Sequence, residues 1–104
     1  MLYAVLFEDN PDLGANVRRR HMPAHLSFLE RHASQILAAG PFRLPSGEPG
    51  GGLWLVRAKG HEDVQALVEE DPFWPTGLRH SVRVLAWTRV FADGRRLIGP
   101  DAKV

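Results

Sequence analysis

The stretch VQALVEEDPF, residues 64–73, reads as a short amphipathic helix that ends on a misplaced acid. Val64, Leu67 and Val68 fall at positions i, i+3 and i+4 of one helical face. The next position on that apolar face is Asp71, which also lies in the last helical turn, where the helix dipole disfavours a negative charge. Because departures from local rules gather at functional sites, Asp71 is a candidate site residue. The alternative is a solvated acid at a frayed helix end.

The composition is that of a globular domain, and 104 residues predict a single one. Thirteen lysines and arginines nearly balance twelve acids, so the net charge of +1 provides no strong field for nucleic acid or an anionic membrane. Because the chain has no cysteine, disulfides, thiolate catalysis and cysteine-based metal sites are excluded. The apolar run at residues 1–7 is too short for a signal peptide and lacks its basic region, so we expect a cytoplasmic protein.

A first helix is predicted to begin near Met22-Pro23 and to close at Gly40-Pro41. Its apolar stripe consists of Leu26, Leu29, Ala33, Ile36 and Leu37. His25 and His32 lie at half-shielded positions on one flank of that stripe, so each is either a functional residue or a partly buried packing residue. Their i, i+7 spacing is poor for shared metal ligation, and we expect neither a metal nor another cofactor.

Apolar runs and alternation predict four strands, at residues 2–7, 41–45, 53–57 and 81–91. The turn-forming residues 10–14 end the first strand. The glycine run at residues 50–52 lacks the context of a phosphate-binding loop, which favours a hairpin connection. Residues 92–104 either turn back at Asp93-Gly94 as a hairpin or lie loose.

The elements follow the order strand, helix, strand, strand, helix, strand, which is the βαββαβ order of ferredoxin-like α+β domains. Right-handed crossovers place both helices on one face of a four-stranded antiparallel sheet. Three of the strands carry apolar residues on both faces, so the face without helices exposes a large apolar patch. A second copy packing sheet to sheet is the simplest cover, and we predict a homodimer. The last strand has two faces: the Val82 face, with Val82, Val84, Ala86, Thr88 and Val90, and the Trp87 face, with Arg83, Leu85, Trp87, Arg89 and Phe91. One of these two faces is expected to make that contact.

The arginine run at residues 18–20 is either a basic patch for nucleic acid or a solvated approach to the first helix. No aromatic residues interleave the three arginines, and the chain is nearly neutral, which favours the solvated interpretation. We therefore expect no nucleic-acid and no membrane partner.

Five short motifs, in the same order and at similar spacing, resemble the YciI-like (YCII-related) proteins of the dimeric α+β barrel superfamily. The motifs are Met1-Leu2-Tyr3, Met22-Pro23-Ala24-His25-Leu26, Ala39-Gly40-Pro41, Asp71-Pro72-Phe73 and Ala86-Trp87. The resemblance covers residues 1–91, which we take as the domain, with residues 92–104 as a tail or short hairpin. It implies a ferredoxin-like dimer with a His-Asp pair in a pocket, proposed as an active site. Those two positions match His25 and Asp71.

The chain departs from the family's pattern at Met22, because the family often has an arginine three residues before its histidine. Arg20 and Arg19 are the nearest candidates to replace that arginine, and we take Arg20 as a candidate substrate-binding residue. The candidate walls of the pocket are Phe28, Phe73 and Trp74.

A His-Asp pair supports proton transfer, with Asp71 orienting the imidazole and His25 acting as general base or acid. The serines lack the setting of an activated nucleophile, so acyl-enzyme chemistry is not expected. By analogy with ring-lactone isomerases of the superfamily and a dehydrochlorinase among YciI-like proteins, the resemblance implies isomerisation, elimination or dehydrochlorination of a small molecule. The alternative is a non-catalytic small-ligand-binding dimer in which the pair only fixes a polar ligand or the fold.

Overall fold

A computed structural model describes residues 1–13 and 15–104, and its main helices and strands follow the predicted βαββαβ order. In chain order they are β1 (Leu2–Asp9), α1 (Ala15–Arg31), β2 (Ile36–Arg43), β3 (Pro49–Arg57), α2 (His61–Glu70) and β4 (Arg79–Trp87). A 3-10 turn at Trp74–Thr76 joins α2 to β4, and a small hairpin of β5 (Phe91–Ala92) and β6 (Arg95–Arg96) follows.

The four long strands form one antiparallel sheet in the order β2-β3-β1-β4. Val5, near the middle of β1, pairs with Trp54 of β3 on one side and with Val84 of β4 on the other. Phe28 of α1 and Val64 of α2 belong to one buried cluster with Trp54, so both helices pack on the same face of the sheet. The predicted ferredoxin-like α+β fold is therefore confirmed.

The hydrophobic core lies between this sheet face and the two helices. Its most deeply buried apolar side chains are Val5, Phe7, Phe28, Trp54, Val56, Val64, Val68, Phe73 and Leu78. Each β1 and β3 member occupies an alternate position of its strand, as expected for a sheet covered on that side. The core thus holds α1, α2 and β1 together, because all three contribute buried side chains to it.

The opposite face of the sheet is apolar and largely uncovered. Leu53 and Trp87 are 47% and 48% exposed, and Leu85 is also exposed. A groove of about 420 Å³ crosses this face between β2, β3 and Trp87. Val82 and Val84 pack against the core, so the uncovered side of the last strand is the Trp87 face. Patches of this kind mark interaction surfaces in soluble domains.

The predicted bounds of the first helix are wrong. α1 begins at Ala15 and ends at Arg31, so Pro23 lies inside the helix and not at its start. The buried positions of α1 are His25 and Phe28, whereas Leu26 is 49% exposed. Leu29 of the predicted stripe packs against the core, but His25 and Phe28 are the deepest positions of α1, so apolar periodicity identified only part of the inward face.

The second strand was also misplaced. Ile36 and Leu37, assigned to the helix, open β2, and Gly40-Pro41 lie inside β2 and do not close a helix. The helix stops because the chain turns at residues 32–35, where the N–H groups of Gln35 and Ile36 both donate to the carbonyl of His32. Pairing with β3 then outweighs the helical propensity of this alanine-rich run.

The glycine run does not form a hairpin loop, because β3 already begins at Pro49. Gly51 and Gly52 pair with Glu8 and Phe7 of β1. A Cβ on Gly51 would lie 1.8 Å from the carbonyl oxygen of Phe7, so only glycine fits this close approach.

The last strand is shorter than predicted and stops at Trp87. The chain then turns at Asp93-Gly94, both with positive φ, between the paired strands β5 and β6. The predicted turn after β1 is present over residues 10–13, where the N–H of Leu13 donates to the carbonyl of Asn10, and Gly14 lies outside the described residues. Over residues 1–13 and 15–104, no helix is both long and apolar enough to cross a membrane.

Candidate active site

The predicted pair of His25 and Asp71 is present and buried. Nδ1 of His25, on the inner face of α1, lies 2.9 Å from Oδ1 of Asp71, which directly follows α2. The two side chains are 9% and 0% exposed. Asp71 is therefore not a solvated acid at a frayed helix end, and the two residues, 46 positions apart in the chain, explain each other's burial.

Local backbone structure also holds the Asp71 carboxylate. Asp71 leaves helical geometry as the C-cap of α2, with φ −62° and ψ 131°. The N–H of Phe73 donates to Oδ1 at 3.1 Å, and the N–H of Trp74 donates to the Asp71 carbonyl at 2.8 Å. An aspartate that bonds the backbone two residues on forms an Asx turn. The acid therefore organises the turn after α2 as well as contacting His25.

Arg79, at the start of β4, completes the buried cluster. Its Nη2 lies 2.9 Å from Oδ2 of Asp71, and its side chain is only 6% exposed. The guanidinium carbon lies 3.7 Å from the ring centre of Phe7, in cation–π geometry. Burial lowers the pKa of the Arg79 guanidinium, while the neighbouring carboxylates of Asp71 and Asp9 raise it. The Asp71 carboxylate thus accepts hydrogen bonds from a guanidinium, an imidazole and a backbone N–H.

Sequence reasoning missed Arg79 because a β-bulge decides where it lies. Glu8 pairs with Ser81, but Asp9 pairs with Arg79, so His80 is an extra residue in β4. Simple alternation from the core-facing Val82 would have placed His80 inward and Arg79 outward. Bulges re-aim side chains in this way, and no period-2 pattern reveals them. The only local signal was an arginine directly after the turn that begins with Asp71.

Aromatic rings surround the imidazole of His25. The Phe73 ring centre lies 4.7 Å from that of His25, and the Trp54 ring is stacked at 6.4 Å. Phe28 packs against Trp54 at 6.0 Å, one ring further out. Trp74 is partly buried and packs against the core cluster. Of the predicted walls, the structure therefore brings Phe73 directly to the pair, and it adds Trp54, which the sequence analysis had left in a strand.

The arginines of α1 divide between two faces. Arg19 and Arg20 are exposed, and Arg20 contributes no described contact to the pair. Arg18 is turned inward, forms an ion pair with Asp9 and places its guanidinium carbon 5.9 Å from the Phe73 ring centre. The guanidinium that contacts Asp71 of the pair comes from Arg79, the first residue of β4.

His32 lies apart from the pair, with its Nε2 3.6 Å from the exposed Glu70 carboxylate. No cluster of three or more histidines, aspartates or glutamates that could hold a metal ion is found in the described part of the chain.

The hydrogen-bond partners define the tautomer of His25. A carboxylate held by a guanidinium accepts hydrogen bonds, so Nδ1 of His25 donates and Nε2 carries the lone pair. Nε2 has no hydrogen-bond partner among the described residues. The arrangement can therefore accept a proton at Nε2 and stabilise the resulting imidazolium through Asp71.

This fold and this buried pair define a ferredoxin-like α+β domain with a candidate proton-transfer site. The sequence pattern of the YCII-related domain matches residues 1–88, and the chain belongs to that family. It is similar in structure to 5-chloro-2-hydroxyhydroquinone dehydrochlorinase from Burkholderia phenoliruptrix AC1100, solved in complex with 2,5-dihydroxybenzoquinone. The two chains are 29% identical with a TM-score of 0.72, over 85% of this chain and 94% of the dehydrochlorinase. No curated protein matches the chain.

Proposed function

We propose that this chain is a small-molecule enzyme in which His25 and Asp71 transfer a proton within a pocket of a homodimer, as in an isomerisation, a lyase reaction or a dehydrochlorination. The observation that carries the proposal is the buried pair, 2.9 Å between Nδ1 and Oδ1, with Arg79 fixing the second carboxylate oxygen. The activity named for the similar structure supports this class of reaction. No cofactor enters the proposed chemistry.

In the proposed mechanism, Nε2 of His25 is the general base. It takes a proton from a carbon or a hydroxyl group of the substrate, and Asp71 stabilises the imidazolium that forms. The electron pair of the broken bond moves into the substrate. In an isomerisation the imidazolium returns the proton to a different atom, whereas in a dehydrochlorination the C–Cl bond breaks and chloride leaves with its electron pair.

The surroundings of the imidazole favour a planar substrate. Phe28, Phe73 and Trp74 are the proposed pocket walls. Phe73 and Phe28 are almost fully buried, with Phe73 against the imidazole, whereas the partly buried Trp74 is the ring that we propose contacts a single-ring compound. Arg20 remains a proposed substrate-binding residue at the exposed rim of α1. The side chain of His25 retains 9% exposure, which leaves an approach to the imidazole.

The homodimer is proposed from the uncovered sheet face. Leu53, Leu85 and Trp87 are exposed there, and a second copy packed sheet to sheet would remove all three from water. Self-association of identical apolar faces also needs no further partner.

Turnover of 5-chloro-2-hydroxyhydroquinone tests the proposed class, with released chloride as the readout. We expect chloride release by the wild type, and a loss of about 10²–10⁴-fold in kcat/KM for His25→Ala. His61→Ala is the matched control, because His61 is exposed at the start of α2. An unchanged rate in His25→Ala would contradict the proposal. If the wild type releases no chloride, a panel of hydroxylated ring compounds in D2O, scored by deuterium incorporation, tests proton transfer more broadly.

The second candidate is a non-catalytic small-ligand-binding dimer. It is favoured by the structural use of Asp71, whose carboxylate already bonds Arg79 and the turn after α2. In that case 2,5-dihydroxybenzoquinone would bind, His25→Ala would only weaken its affinity, and neither chloride nor deuterium would be exchanged.

A further inference from the structure

The four long strands begin or end together along one side of the sheet, and this edge lies beside the N-terminal half of α1. β1 and β2 end there at Asp9 and Arg43, and β3 and β4 begin there at Pro49 and Arg79. Arg18 reaches this edge from α1 and pairs with Asp9. Three arginines and one acid therefore gather at the edge of the sheet where the Asp71–Arg79 contact also lies.

A groove of about 280 Å³ opens at this edge. It is lined by Arg18, Pro41, Phe42, Arg43 and Pro49. A buried cavity of about 150 Å³ is enough to hold benzene, so this groove has room for one substituted ring. Phe42 and the two prolines supply flat apolar walls, and the two guanidinium groups supply the polar part of the lining.

The charge of the groove is positive, because no acid lines it. Arg18 is already neutralised by Asp9. Arg43 donates to the carbonyl of Gly47 at 2.8 Å and forms no ion pair within the described residues. A guanidinium that retains free donors beside an apolar wall is suited to a planar oxyanion, which it binds through two parallel hydrogen bonds.

Asp9 is not a groove residue, although one of its oxygens is unsatisfied. Its Oδ2 accepts from Arg18, but the buried Oδ1 has no partner among the described residues, although the side chain is only 10% exposed. A buried carboxylate oxygen without a donor is costly. Because that oxygen is enclosed by the protein and Asp9 does not line the groove, the charged groups of the groove are the two arginines.

The groove is connected to the pair through Arg18. The Arg18 guanidinium carbon lies 5.9 Å from the Phe73 ring centre, and that ring lies 4.7 Å from the imidazole of His25. A molecule held by Arg18 would therefore lie one aromatic ring away from the proposed proton acceptor.

We propose that this groove binds the oxyanion of a small ring compound, with Arg18 and Arg43 holding the anionic group and Phe42 packing against the ring. The proposal goes beyond the proposed function, because the Phe73 ring separates this groove from His25. It also makes Arg18 and Arg43 binding residues, a role that the sequence analysis gave to Arg20.

Calorimetric titration with 2,5-dihydroxybenzoate and its neutral analogue 2,5-dihydroxybenzamide tests the groove. We expect the wild type to bind the carboxylate about tenfold or more tightly than the amide. Arg43→Gln and Arg18→Gln should each remove most of that preference. Arg31→Gln is the matched control, because Arg31 is an exposed arginine in the last turn of the same helix.

The proposal is overturned if the two probes bind equally, if neither binds, or if Arg31→Gln weakens the carboxylate as much as Arg43→Gln does. The same titration in His25→Ala separates this proposal from the catalytic one. A carboxylate preference retained in both proteins, together with a wild type that shows no turnover, supports the groove and contradicts the proposed function. Turnover by a chain that shows no carboxylate preference does the reverse.

Discussion

Asp71 connects the two halves of the candidate site, since its carboxylate contacts α1 through His25 and β4 through Arg79. Its side chain is fully buried, and the Arg79 side chain is 6% exposed. A buried ion pair adds little net stability over an apolar replacement, but removing one partner leaves the other charge buried and unpaired. The acid is therefore more costly to lose than an ordinary residue at a helix end.

Asp71→Asn should destabilise the protein by about 3–5 kcal/mol, because the Arg79 guanidinium loses its counter-charge in a buried setting. Urea unfolding monitored by tryptophan fluorescence measures the change. Glu70→Gln, the same chemical change one residue earlier on a side chain that is 60% exposed, should cost less than about 0.5 kcal/mol. Equal losses for the two variants would show that the Asp71–Arg79 contact is not a buried ion pair.

Asp71 was predictable because it breaks a local rule that can be read from a helical pattern, whereas His25 was predictable only through the resemblance to the family. Sequence reasoning could not reach Arg79 or Trp54, since those residues become site residues only through pairing between strands. The family's missing arginine at Met22 was sought among its neighbours in α1, Arg19 and Arg20, yet the structure brings an arginine to the pair from β4.

At the scale of elements, the order and type of helices and strands were predictable, but several bounds were not. The start of α1 was predicted too late because the inward face of this helix is partly polar. The start of β2 was predicted too late because its alanines also suit a helix. The start of β3 was also predicted too late, at Leu53 instead of Pro49, but for a different reason. Glycines are typical of a loop in sequence, whereas here the close approach of the Phe7 carbonyl is what requires glycine.

Gly51→Ala tests that close approach. The added Cβ would lie 1.8 Å from the backbone oxygen of Phe7, so the strands must separate, and we expect a loss of about 1–3 kcal/mol or more in the free energy of unfolding. Gly52→Ala is the control, because its Cβ would meet its nearest neighbour, the Gly40 carbonyl oxygen, at 3.5 Å, an ordinary contact. Its stability should stay within about 1 kcal/mol of the parent. A neutral Gly51→Ala variant would contradict the β1–β3 register.

The whole molecule is a two-layer domain with one apolar sheet face left uncovered. Apolar patterning on both faces of the strands was enough to predict such a face, but only the packed structure shows which side of β4 it includes. The Val82 side is covered by the helices, and the Trp87 side is free.

Leu53→Glu should convert the proposed dimer to a monomer, because a charge at the centre of a self-complementary apolar contact meets its own copy. Sedimentation equilibrium should give the mass of two 11.6 kDa chains for the wild type and of one for the variant. Leu26→Glu provides a matched control, since Leu26 is 49% exposed, close to the 47% of Leu53, but lies on α1. A monomeric wild type, or equal dissociation of both variants, would remove the sheet-to-sheet dimer.

His25 and Asp71 are proposed to act as one proton-transfer unit, and a double-mutant cycle measures the coupling between them. Turnover is measured for the wild type, His25→Ala, Asp71→Asn and the double variant, each after its folded fraction has been checked by unfolding. Residues that act as a unit are strongly non-additive, so the double variant should lose little more kcat/KM than His25→Ala alone. Losses that multiply, with the double variant lower than either single variant by the full product, would show that the two side chains act independently and would contradict the pair.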